Sequence, residues 1–180
     1  FFNRLGYAIN KVEHIDTHGG SIRVYVKNKT YIPNVSVKEF LKREEEFGVT
    51  EYKTYLDFAN KVEQAKSNVV KNIKDLKDMG LTLVGYGSPA KATTSLNYYG
   101  VTSDDIDYIV DDNPLKHNKI LPGVRIPIYS REKLNKKLPD VIIVMAWNFI
   151  KEIKESNQEL IDKGVKFISI KDLQEDEYIC

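Results

Sequence analysis

The sequence predicts an α/β fold: a parallel sheet with helices on both faces, preceded by a helical connector and a β-hairpin. Three observations predict it. From Gly80 onward, short apolar runs alternate with helical segments, the pattern a parallel sheet imposes because each strand must return through a crossover. The first of these runs, in LTLVGYGSPAK (Leu81 to Lys91), closes on a glycine-rich turn that opens a helix. Ahead of it, apolar residues recur at three- and four-residue steps along one long helical stretch.

Phe1 to Leu5 read as the last turn of an apolar helix, Gly6 as its C-terminal stop, and Tyr7 to Ile15 as a strand. His18-Gly19-Gly20-Ser21 makes a hairpin-type turn, after which Ile22, Val24 and Val26 alternate with Arg23 and Tyr25 on the return strand. One helix end and one hairpin cannot bury an apolar face. Residues 1–35, which open without a methionine, are therefore expected to be the tail of a domain whose body lies upstream.

Asn28 to Ser36 is a polar, proline-broken connector. Val37 to Phe47 forms a charged helix stopped at Gly48, and Thr50 caps a long helix running to about Met79. Tyr52, Tyr55, Ala59, Val62, Val69, Ile73 and Leu76 form its apolar stripe, expected to be a packing seam that joins two domains. Residues 36–79 are thus a helical connector and 80–180 a second domain.

In that domain, Leu81, Leu83 and Val84 read as a buried strand, and Gly85 and Gly87 as the glycines of a tight turn with uncovered N–H groups. Ser88 suits the N-cap and Pro89 the first helical position. Further strands are expected at Ile106 to Val110, Arg125 to Tyr129, Val141 to Ala146 and Val165 to Ile170. Helices are expected at Pro89 to Tyr99, Arg131 to Lys137 and Phe149 to Lys163.

Gly85, Gly87 and Ala90 fit a dinucleotide-binding fingerprint with alanine in third place, and Asp111-Asp112 ends the next apolar run. A helix mouth of this kind welcomes phosphate, and Lys91 in the first turn opposes the helix dipole unless an anion sits there. The same residues also suit a plain strand-to-helix turn with Lys91 in solvent. His18 could meet a substrate at a close backbone approach or be a surface turn residue. Asp111-Asp112-Asn113-Pro114 could grip ribose or sugar hydroxyls, or simply end a strand. Trp147 could stack on a base or sugar with the Asn148 amide beside it; equally, the indole could close the core and the amide cap the next helix.

Composition narrows the classes. Of 180 residues, 42% are hydrophobic and 29% charged, with 27 basic against 26 acidic side chains, a balance that offers no basic stripe to nucleic acid or an anionic membrane. The longest apolar run, Val141 to Trp147, is too short to cross a bilayer, and no signal-peptide pattern is present, so the expected location is cytoplasmic. The single cysteine, Cys180, excludes an internal disulfide and a thiolate zinc site. There is no nucleophile elbow, Walker loop or paired histidine motif.

Four segments in order, HGGSIRVYV, GYGSPAKATTSLNYYGV, IDYIVDDNPLKHNKILPGVRIPIY and PDVIIVMAWNF, resemble the C-terminal region of S-adenosylmethionine-dependent sugar C-methyltransferases, over about Phe2 to Ile170. The resemblance implies a Rossmann-like domain that helps to hold a nucleotide-sugar, a thymidine-diphosphate-linked keto-deoxysugar, in deoxysugar biosynthesis. It further implies that an upstream methyltransferase domain carries S-adenosylmethionine and the catalytic base, so no catalytic residue and no donor site is expected in this chain. In the intact enzyme that base would remove a proton beside the keto group, and the enolate would attack the donor methyl. The positions matching the family's motifs are His18, Gly19, Gly20 and Ser21 of the hairpin, Tyr86, Gly87, Ser88, Pro89, Ala90 and Lys91 of the glycine turn, and Asp111, Asn113, Lys116, Trp147 and Asn148. Two departures stand out: Lys116-His117-Asn118 replaces the family's usual Lys-Gln-Gly, and Ala92 follows the motif lysine where glycine is common. The alternatives are an NAD-dependent oxidoreductase or NAD-binding sensor, and a purely structural domain.

Overall fold

The computed structural model describes residues 1–176; Cys180 lies outside the described residues, as does the side chain of His18. The chain forms two compact units, Phe1–Asn60 and the remainder from Lys61.

In the first unit a 3₁₀ turn (Phe2–Leu5) ends at Gly6, whose φ of 83° is the left-handed stop that the sequence predicts. β1 (Tyr7–Ile15) and β2 (Ser21–Asn28) then pair antiparallel from Tyr7 opposite Asn28 to Ile15 opposite Ser21, with one irregularity between Ile9 and Lys11. α1 (Val35–Phe47) starts two residues earlier than expected, because Asn34 supplies the cap by accepting the Ser36 amide at 3.0 Å. The Ser36 hydroxyl instead accepts the Val12 amide at 3.1 Å, which ties α1 to β1.

α2 (Tyr52–Asp78) begins at Tyr52 rather than directly after Thr50. Its apolar stripe divides in two. Val69, Ile73 and Leu76 are buried in the second unit, whereas Tyr52 and Tyr55 are 80% and 57% exposed. Asn68 and Asn72 are buried beside them, and their Nδ2 groups donate to the carbonyls of Gln174, Leu173 and Glu175 at 2.8 to 3.0 Å. These bonds satisfy amides that burial would otherwise penalise.

The second unit is a Rossmann-like six-stranded sheet in the order β5-β6-β4-β3-β7-β8. Its strands are β3 (Leu83–Tyr86), β4 (Ile109–Val110), β5 (Lys119–Ile120), β6 (Pro127–Tyr129), β7 (Val141–Val144) and β8 (Lys166–Ser169). All neighbours run parallel except β5, which pairs antiparallel with β6. β3 and β7 are buried at every residue, so they read as continuous apolar runs rather than alternating ones.

Both faces are covered. Leu83 and Ile143 join Ile73 of α2 and Leu96 of α3 (Ala90–Tyr99) in one cluster. Val84 and Ile142 join Ile153 of α4 (Ile150–Ser156) and Leu160 of α5 (Gln158–Asp162) in the other. Each such side chain contributes about 1.5–3 kcal/mol by leaving water.

Four local expectations are corrected. Gly85 is not a turn residue: it lies inside β3, where a Cβ would come within 2.6 Å of Ile109 Cγ1. The strand expected from Arg125 begins at Pro127, since Arg125 has a φ of 57°. The segment Arg131 to Lys137 forms only a 3₁₀ turn (Arg131–Asn135). The helix expected from Phe149 to Lys163 breaks at Asn157, which is fully buried; its Nδ2 donates to the Ile153 carbonyl at 2.7 Å, and its Oδ1 has no partner among the described residues. No helix among the described residues is long and apolar enough to cross a membrane.

Candidate functional site

The chain passes from β3 to β4 and β6 on one side of the sheet, then crosses back to β7 and β8 on the other. Open α/β sheets lodge ligands outside the carboxyl ends of the strands at such a reversal. A cavity of about 260 Å³ opens there. Tyr86 to Pro89 line it from the β3 turn, Asp111, Asp112 and Lys116 from the loop after β4, and Ala146 and Phe149 from the segment after β7.

Gly87 makes the turn with a φ of 82°, and a Cβ on it would stand 3.0 Å from that of Ala146. The expected uncovered amides are not there. The Gly87 N–H donates to the Val110 carbonyl at 2.7 Å, and the Ser88 N–H donates to Asp111 Oδ2 at 2.7 Å. Nor does Ser88 cap the helix: Pro89 occupies the N-cap position, and the Ser88 hydroxyl donates to the same Asp111 oxygen at 2.6 Å. Lys116 completes the knot, its ammonium 2.9 Å from Asp111 Oδ2 and 3.1 Å from the Ser88 carbonyl.

Asp111 is therefore occupied by the protein itself. Its Oδ1 accepts the Asn113 amide at 2.9 Å. Burial alone would raise the carboxyl, but the hydrogen bonds from Ser88, Asn113 and Lys116 outweigh it and hold the group below the usual aspartate range. Asn113 spends its side-chain oxygen on the Leu115 amide at 3.0 Å, capping the 3₁₀ turn Pro114–Lys116.

The neighbouring Asp112, absent from the residue set matched to the family motifs, is exposed to the cavity and touched by Tyr86. The phenol hydroxyl lies 2.9 and 3.1 Å from its two carboxylate oxygens. Burial, with Asp112 adding to it, pushes the Tyr86 phenol above its usual range, so it remains a donor. A carboxylate has about four lone-pair positions, so Asp112 can still accept hydroxyls from a ligand.

After Ala146 the chain enters a 3₁₀ turn (Trp147–Phe149) that also contains Asn148, and Trp147 is half-buried against the core. Its ring is met by cations: the Lys91 ammonium lies 4.7 Å and that of Lys171 3.9 Å from the centroid. Asn148 does not cap α4, since Phe149 holds that position without a side-chain bond. Ala90 and Lys91 form the first turn of α3.

The structure thus brings Tyr86 to Pro89, Asp111 and Lys116 together around the cavity, while Lys91 meets Trp147 in a separate contact. His18, Gly19, Gly20 and Ser21 belong to the first unit, where the hairpin turn is closed by the Ser21 hydroxyl donating to the Thr17 carbonyl at 3.0 Å. No group of three or more metal-ligating side chains occurs among the described residues.

A family model described as C-methyltransferase C-terminal domain matches residues 16–170. The chain is also 34% identical over 169 residues to the C-methyltransferase NovU of Streptomyces niveus, a match that covers 93% of this chain and 40% of that protein. The chain therefore spans well under half the length of that curated relative.

Proposed function

Because the chain belongs to the C-methyltransferase C-terminal domain family, we propose that its sheet unit holds a nucleotide-linked keto-deoxysugar for a methyl transfer carried out elsewhere in the intact enzyme. One observation carries this reading: a single cavity at the strand-order reversal combines a hydroxyl acceptor, Asp112, with the ammonium of Lys116, and the residue that follows Ala146 of its wall, Trp147, is met by the Lys91 and Lys171 ammoniums. A nucleotide-sugar offers the matching groups, hydroxyls and a diphosphate.

The family implies S-adenosylmethionine as the methyl donor of the intact enzyme. The residues here do not fit it. The glycine turn has its Ser88 amide and the Asp111 carboxylate bonded to each other, and the ammonium groups nearby repel a sulfonium. Of the two acids that end the β4 run, Asp111 is already filled, which leaves Asp112 alone to take a ribose in the dinucleotide reading. The role of this chain is grip and orientation, and the proton transfer belongs to the upstream domain.

The test is to titrate the 180-residue chain with a thymidine-diphosphate-linked keto-deoxysugar while following the fluorescence of Trp147, its single tryptophan. A saturable change that NADH does not produce is expected. A response to NADH alone would overturn the reading.

A further inference from the structure

A second cavity, of about 310 Å³, lies past the carboxyl end of β6, lined by His117 and Asn118 from the loop after β4. Its walls include Lys133, Lys136, Ser130, Tyr129 and His117, with Glu132 as the acid of its lining. We propose that this cavity is a separate binding site for a phosphate monoester or diphosphate group.

Charge is the first argument. Neither Lys133 nor Lys136 has a carboxylate within 4.0 Å among the described residues, so two lysines line one cavity without ion-pair partners. Lys133 is held in place by aromatic faces, 4.6 Å from the centroid of Tyr129 and 5.7 Å from that of Tyr108, and the two rings meet edge to face at 5.7 Å. A cation fixed on a ring is preorganised for an anion, because less side-chain freedom is lost on binding.

Hydrogen bonding is the second. Ser130 stands at the head of the 3₁₀ turn Arg131–Asn135 yet makes no side-chain capping bond, which leaves its hydroxyl available as a donor. His117 anchors the opposite wall: its Nε2 lies 2.7 Å from the Asp111 carbonyl, an atom that can only accept, so Nε2 carries the proton. Two ammoniums and a hydroxyl match the three terminal oxygens of a phosphoryl group, and the cavity has room well beyond a lone carboxylate.

The probe is pyrophosphate at low ionic strength, with acetate as control, read through the ring resonances of His117 in histidine-labelled protein. Wild type is expected to show a saturable shift with pyrophosphate and a much weaker one with acetate. The Lys133→Gln/Lys136→Gln pair should weaken pyrophosphate about tenfold, while Lys133→Arg keeps the charge and the affinity. Unchanged unfolding midpoints show that each variant is folded; should the pair unfold, Lys136→Glu alone gives the same reading. No saturable shift, equal binding of acetate, or affinity that survives both lysine changes would overturn the site. Pyrophosphate that moves only Trp147 emission overturns it too, while leaving the nucleotide-sugar reading of the other cavity intact.

Discussion

Asp111 takes both protons that Ser88 can give, the amide at 2.7 Å and the hydroxyl at 2.6 Å, on one carboxylate oxygen. The turn after β3 and the loop after β4 are thereby one piece, with Lys116 bonded to both residues. The edge of the candidate site owes its shape to this knot.

Asp111→Asn is expected to lower stability by about 2–3 kcal/mol at neutral pH, since it leaves the Ser88 and Lys116 donors poorly matched. The folded state prefers the ionised carboxylate, so its pKa lies below the unfolded value of about 3.9. The contribution is therefore full above the ordinary aspartate range and lost as pH falls through the depressed folded value. Denaturant unfolding of wild type and variant, which should differ at pH 7 and converge in strong acid, checks this.

Gly85→Ala places a methyl 2.6 Å from Ile109 Cγ1. The expected cost is about 1–3 kcal/mol from overpacking between β3 and β4. Ile109→Ala removes the clashing atom, so the double variant should be less destabilised than the sum of the two singles. Additive losses in a double-mutant cycle would show that the strands relax apart instead.

Lys91→Ala and Lys171→Ala each remove an ammonium from the face of Trp147. Each should change the emission of the free protein and weaken nucleotide-sugar binding about tenfold at low salt, with a smaller difference at high salt. Fluorescence titration at two ionic strengths measures both effects.

Asp112→Asn keeps an acceptor for the Tyr86 phenol but gives up the carboxylate's charge. Stability should change by less than about 1 kcal/mol, as for most exposed substitutions. Nucleotide-sugar affinity should fall about tenfold, because charge-assisted bonds to hydroxyls are roughly twice as strong as neutral ones. A calorimetric titration beside a thermal melt separates the two.

The strands were readable where both faces are buried: Val141 to Val144 admits no polar residue, so its apolar run stands out at once. The glycines were not. Gly85 and Gly87 look alike in sequence, yet one supplies a missing Cβ against Ile109 and the other a positive φ. Which of Asp111 and Asp112 turns inward depends on where Ser88 and Lys116 arrive, a tertiary fact that no local pattern records. Asn157 breaks a helix whose apolar spacing continues on both sides, and β5 has two residues, too few for any period. The family itself is legible in four ordered motifs, all of which fall within residues 16–170, the span the family model matches.

The antiparallel β5 has a consequence for how copies of the chain behave in a crowded solution. Among the described residues the edge strand is Lys119 and Ile120 alone, and the turn leading away from them carries Pro122. A ladder that short, beginning with a lysine and running into a residue without an amide hydrogen, is a poor template for a visiting strand, so fibrous self-association is discouraged from that flank.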